Sequence, residues 1–118
     1  MHKIVVIWAS NNPDKFWYKI LKNILDKNFE VFPVNPKWWE ILWQKVYKNI
    51  EDIDKDFDII NFVTQPEVTF KILESHLELL QTKTIWCQPW STNAESEKFL
   101  WDNFSDYITN SCIMIEKI

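Results

Sequence analysis

The sequence predicts an α/β fold, a doubly wound sheet of about five parallel strands with helices on both faces, and three observations carry that expectation. Short apolar runs alternate along the chain with helical or irregular segments, the order that a parallel sheet with crossover connections requires. The first run is β-branched at consecutive positions, as suits a strand covered on both faces. No internal repeat, linker or low-complexity stretch interrupts the 118 residues, so one domain over 1–118 with a sizeable core is expected. Right-handed crossovers leave few topologies, and the strand order 3-2-1-4-5, with the first strand central, is the preferred one. The loops after the first four strands then open on one carboxyl edge, where such a sheet keeps its ligand crevice.

The first strand spans 3–7. Asn12 offers an N-cap, Pro13 occupies the first helical position, and Asp14 complements the positive helix end. Phe16, Ile20 and Ile24, with Leu21 and Leu25 beside them, form a stripe at helical spacing. That helix fades at 26–28, where Asn28 replaces the usual glycine as a left-handed terminator. A second buried strand covers 29–34 and is closed by Pro33 and by Asn35-Pro36. Segment 37–47 is too short and irregular for a helix, and 49–55 reads as a single polar turn.

The third strand spans 57–63. Thr64 and Glu67 read as a capping box around Pro66, opening a helix to about Leu80 that buries Val68, Ile72, Leu73, Leu77 and Leu80. The fourth strand spans 83–87. A second capping box from Thr92 to Glu95 starts a helix with Phe99 and Leu100 inward. Tyr107 and Ile108 form a short fifth strand, and 111–116 a terminal helical turn.

Composition excludes several classes. A net charge of −4 without a basic cluster argues against a nucleic-acid surface. No apolar run is long enough to span a bilayer and no signal peptide is visible, so a soluble, cytoplasmic protein is expected. Cys87 and Cys112 are too few for a disulfide scaffold or a zinc site, and core packing is the expected role of both. The acidic stretch 51–58 matches no metal-ligand spacing and reads as a solvated face. His76, on a charged helix face beside Glu74 and Glu78, and His2 have no nucleophile or metal partner in view. The loop over 8–12, between strand and helix, directs backbone N–H groups at whatever lies above the strand end, which suits a phosphate or pyrophosphate.

Five short blocks fall in the loops: Ala9-Ser10-Asn11-Asn12-Pro13, Val34-Asn35-Pro36-Lys37, Gln65-Pro66-Glu67, Gln88-Pro89, and Asn110-Ser111-Cys112-Ile113-Met114-Ile115-Glu116. In this order and spacing the chain resembles the small stand-alone CoA-binding proteins, whose fold is similar to the CoA-binding domain of the succinyl-CoA ligase α subunit. The likeness runs over 3–116. It implies a Rossmann-like domain that holds coenzyme A, or an acyl-CoA, along the carboxyl edge. By position, Trp8, Ala9, Ser10, Asn11 and Asn12 would form the phosphate loop. Lys15 stands where the family often has a basic residue, and Tyr18 follows as the family pattern expects. Asn35, Pro36 and Lys37 would border the nucleotide end, while Gln65, Pro66, Gln88 and Pro89 would flank the rest of the cofactor. Relatives often carry arginines where this chain has Thr64 and Gln65, and this chain has no arginine at all.

Glycine is absent and tryptophan occurs 8 times, whereas average usage predicts about 8 glycines in this length. The family pattern is Gly-Ala-Ser after the first strand, and Trp8 stands in place of that glycine. Glycine is likewise common at the positions matching Trp17, Trp38 or Trp39, Trp43 and Trp90, whereas Trp86, in an apolar strand, reads as native. The expectation is that most of these tryptophans are UGA codons that the natural host reads as glycine, as some bacterial lineages do. Abundant Lys, Asn and Ile fit an AT-rich gene. A glycine-free variant and a divergent homologue are the alternatives.

The functional expectation is a CoA binder without chemistry of its own, because nothing pairs a nucleophile with a base. A ligase-like mechanism would need a phosphorylatable histidine in a second domain. A nicotinamide-binding oxidoreductase domain is one alternative, but it should show an acid at the end of the second strand, where Asn35-Pro36-Lys37 stands. A detached acyl-CoA ligase subunit is another. With native tryptophans the expectation becomes a folded, ligand-dead domain whose turn aromatics form an exposed apolar patch.

Overall fold

A computed structural model of the chain describes residues 2–7, 14–37, 40–41 and 43–115, and for residues 14–17 and 41 the backbone alone. The elements in order are β1 (Lys3–Ile7), α1 (Asp14–Asp26), β2 (Glu30–Val34), β3 (Glu40–Ile41), β4 (Gln44–Lys45), a 3-10 turn (Ile50–Asp52), β5 (Ile59–Phe62), α2 (Pro66–Ser75), α3 (Leu77–Leu80), β6 (Thr84–Cys87), α4 (Ala94–Asn103) and β7 (Tyr107–Ile108). Five of the strands form one all-parallel sheet in the order β2-β1-β5-β6-β7, and β3 and β4 form a separate antiparallel hairpin.

The α/β, Rossmann-like class holds, but the expected order 3-2-1-4-5 is corrected to 2-1-3-4-5. The third parallel strand, β5, lies on the far side of β1 from β2, with Ile4 opposite Ile59 and Ile7 opposite Phe62. The connection responsible contains the hairpin and the 3-10 turn in place of a long helix. Its Tyr47, Ile50 and Phe57 pack with Leu73 and Leu100, on the sheet face opposite α1. A right-handed connection over that opposite face must run in the opposite direction, which carries β5 across to the free side of β1. The topological switch point therefore falls between β1 and β5.

Alternation along the strands divides the core into two layers. Val5, Ile7, Phe32, Val34, Ile60, Phe62 and Ile85 face Leu73, Leu80 and Leu100 from the second to fourth helices. Ile4, Val6, Val31, Ile59 and Trp86 face Ile20, Leu21 and Ile24 of α1 and Ile113 of the C-terminal turn. Trp86 behaves as a native core residue, its Nε1 donating to the Ser111 carbonyl at 2.9 Å.

Helix ends show where local signals succeed and where they slip. α1 stops as anticipated, with Asn28 at φ 65°. The Phe29 N–H reaches the Ile24 carbonyl at 3.4 Å and the Asn28 N–H the Leu25 carbonyl at 2.9 Å, the paired bonds of a Schellman turn. The capping box of α4 is displaced by one residue, to Asn93 and Ser96, with reciprocal bonds of 3.0 and 2.8 Å. The box expected at Thr64 does not form. Gln65 is the N-cap of α2 without a side-chain cap, Pro66 begins the helix, and the Thr64 hydroxyl pairs instead with that of Thr69 at 2.6 Å. The helix expected to run to Leu80 breaks at His76, whose φ of −122° separates α2 from α3.

At the amino edge of the sheet, Asp58 accepts from the Lys3 N–H and pairs with His2 Nδ1 at 2.6 Å. Burial pushes its carboxyl up, but the bonds from His2 and from the Lys3 N–H outweigh this and hold it below the ordinary value of 3.8. The group thus stabilises the fold above that value, and the contribution is lost as pH falls through the lowered folded value. Asp58→Asn is expected to lower the urea midpoint at pH 7. The gap from wild type should narrow as pH falls below 3.8; a gap that does not change with pH would refute the assignment.

Candidate ligand-binding site

The carboxyl ends of β1 and β2 are roofed by the segment after the hairpin and walled by α2. Asn35 N–H donates to the Tyr47 carbonyl at 2.9 Å and Tyr47 N–H to the Pro33 carbonyl at 2.8 Å. These bonds continue the sheet edge beyond β2 and bring Lys48, Asn49 and Ile50 to the end of that strand. Across from them, α2 presents Val68, Lys71 and Ile72, with His76 at its end. The result is a cavity of ≈ 410 Å³ whose lining also includes Ile7, Val34 and Pro36. Its floor is apolar, whereas Lys48, Lys71 and His76 are all nitrogen bases.

The anticipated site residues divide into three groups. Trp8, Ala9, Ser10, Asn11 and Asn12 lie outside the described residues, as does the Lys15 side chain. Tyr18 is 44% exposed on α1. Asn35 is fully buried between two cavity-lining neighbours, and its Oδ1 accepts from the Lys37 N–H at 2.8 Å. Its Nδ2 has no partner among the described residues, an unmet donor at the nucleotide end of the expected site. Pro36 lines the cavity, and Lys37 is exposed beside it. Gln65 is exposed at the N-cap of α2 and Pro66 is half-buried.

Gln88 belongs to a different cluster. It is fully buried, its Oε1 accepting from Asn61 Nδ2 at 3.1 Å and from the Ile113 N–H at 3.0 Å, and its Nε2 donating to Cys112 Sγ at 3.0 Å. The side chain thus clamps the C-terminal turn to the ends of β5 and β6. Pro89, next in the chain, is exposed.

Sequence reasoning missed Lys48, Asn49, Lys71 and His76. Val68, Ile72 and His76 recur at four-residue spacing with Lys71 beside them, a pattern that in sequence does not differ from a core stripe next to a solvated surface. In the structure Val68, Ile72 and His76 are half-buried, because the wall they form meets a cavity and not a packed layer. His76, expected on a charged face beside Glu74 and Glu78, thus lines the cavity at the end of α2.

Cys87 ends β6 in the core, and burial pushes its thiol up to about 12. It therefore stays protonated and inert near neutrality, whereas Cys112 is half-buried. A colorimetric thiol reagent at pH 8 is expected to react quickly with Cys112 alone, and with Cys87 only after denaturation. Two fast thiols in the folded protein would contradict the packing. Among the described residues, no group of three or more His, Cys, Asp or Glu is arranged to hold a metal ion, and no helix is long and apolar enough to cross a membrane.

The family model described as "CoA binding domain" matches residues 2–118. The chain belongs to the CoA-binding domain family. An ADP-forming acetate–CoA ligase of Methanocaldococcus jannaschii is 38% identical to this domain over 71 residues, 60% of this chain and 10% of the ligase. The domain thus corresponds to a small part of that enzyme's length. The uncharacterized protein YneT of Bacillus subtilis is 28% identical over 113 residues, covering 96% of this chain and 83% of YneT. Among solved structures, a conserved hypothetical protein from Pyrococcus furiosus matches with a TM-score of 0.87 and 38% identity, covering 99% of this chain and 100% of that one. A hypothetical protein from Pyrococcus horikoshii gives a TM-score of 0.82 at 27% identity, over 96% of this chain and 79% of that one.

Proposed function

We propose that this CoA-binding domain takes up coenzyme A or an acyl-CoA at the carboxyl edge of its sheet, in the cytoplasm, and carries out no chemistry of its own. The observation that carries the reading is the ≈ 410 Å³ cavity at the ends of β1 and β2, apolar below and cationic at Lys48 and Lys71. A planar base suits the floor formed by Ile7, Val34 and Ile72. The diphosphate would lie on the N–H groups of the loop over 8–12, at the start of α1, with Lys15 and Tyr18 on the first helical turns. Lys37, Gln65, Pro66 and Pro89 would border the remainder of the ligand. Two free thiols, with no disulfide among the described residues, suit a reducing compartment.

The reading includes the glycine expectation. Ile41 pairs with Gln44 across the β3–β4 hairpin, which makes position 43 the second residue of a two-residue turn. Its φ is 65°, the left-handed region that such turns fill with glycine. Trp43 is also 90% exposed, so packing of its indole does not account for the residue. UGA read as glycine accounts for both facts, and for the empty glycine column of the composition. Peptide masses of the protein isolated from its natural host test it: glycine masses at 8 and 43 are expected, and tryptophan masses there would end it.

Calorimetric titration tests the ligand. CoA is expected to bind and NAD to give no heat, because β2 ends in Val34-Asn35 without the acid that holds ribose hydroxyls. Binding of NAD without CoA would overturn the reading.

A further inference from the structure

Among the described residues the cavity wall carries two lysines and a histidine but no carboxylate, in a chain with 17 acidic against 13 basic residues. An acidic protein that gathers two lysines around one apolar hollow has a local field suited to an anion. Neither Lys48 nor Lys71 takes part in an ion pair among the described residues, although four such pairs form elsewhere. The two lysines also come from separate elements, the segment after the hairpin and the middle of α2, and both lie outside the first loop.

From this we infer that Lys48 and Lys71 form a second phosphate site, which reads a phosphate on the ligand's ribose. The inference rests on the proposed function, since it takes the base to lie on the apolar floor and the diphosphate on the first loop. With the diphosphate held there, two unpaired ammonium groups beside the base are left for another anionic group on the same nucleotide. Lysine suits that task, placing a compact charge at the end of a flexible stem. The domain is therefore selective for nucleotides phosphorylated on the ribose. Lys71 and Lys48 are the residues that confer that selectivity.

CoA and dephospho-CoA differ only in that phosphate. Both are titrated into the chain with Trp8 and into its Trp8→Gly variant, and the chain that binds is then compared with its Lys48→Gln and Lys71→Gln variants. Glutamine keeps most of the aliphatic stem while removing the charge. Each variant is expected to lose about tenfold in CoA affinity, as a charge-assisted hydrogen bond of about 1.4 kcal/mol implies. Dephospho-CoA binding should change by less than about twofold, within the spread of surface substitutions. Equal loss for both ligands, or no loss for either, overturns the phosphate site while leaving CoA binding intact. Absence of heat from both ligands with both chains overturns the proposed function itself, and this inference with it.

Discussion

Trp8→Gly is expected to tighten CoA binding by at least about a hundredfold. Position 8 directly follows Ile7, the last residue of β1 and a lining residue of the cavity. A diphosphate seated at the end of β1 must come close to the main chain there, and a residue with no Cβ permits that approach. If the proposed site is right, an indole at that position would compete with the diphosphate for the same approach. Two charge-assisted hydrogen bonds at about 1.5 kcal/mol each amount to more than a hundredfold in affinity. Titration of both chains with CoA decides the matter. Equal affinity for the two would mean that the diphosphate does not rest on that loop, and the proposed site would have to be abandoned.

The second large effect is on stability. Trp43→Gly should raise the thermal midpoint by about 4 °C, the shift that about 1 kcal/mol produces in a domain of this size. A non-glycine residue in the left-handed region costs about 1–2 kcal/mol, and glycine removes that cost while conceding part of it through a freer unfolded chain. The indole offers little in return, since Trp43 is 90% exposed. Trp43→Ala serves as the control, because alanine keeps the Cβ that clashes at φ 65°. Its midpoint should stay close to that of the parent. A rise in both variants would trace the effect to the lost aromatic surface, and a fall in the glycine variant would refute the turn argument.

Much of the fold was legible because the relevant forces act over a few residues. The β-branched run of β1, the stop at Asn28 and the two-residue strand at Tyr107 and Ile108 all appear where local pattern put them. The family likeness rested on five loop blocks and holds across 2–118. Cap positions slipped at Thr64 and Thr92 because a hydroxyl near a helix start has several partners in reach, and packing selects among them. Thr64 is buried against Thr69, so its hydroxyl turns inward and leaves the helix end to Pro66.

The amino-acid sequence by itself determined the α/β class, the approximate strands and helices and the membership of a CoA-binding family. Only the tertiary structure decided that β5 lies beside β1, that 40–45 is a hairpin, and that Lys48, Lys71 and His76 share one cavity. The physical reason is range. Propensity, capping and turn chemistry are settled between near neighbours, whereas strand order depends on which sheet face a connection packs against. Residues 48 and 71 belong to segments with no pattern in common, and they meet only because the chain crosses from β2 over the far face of the sheet to reach β5.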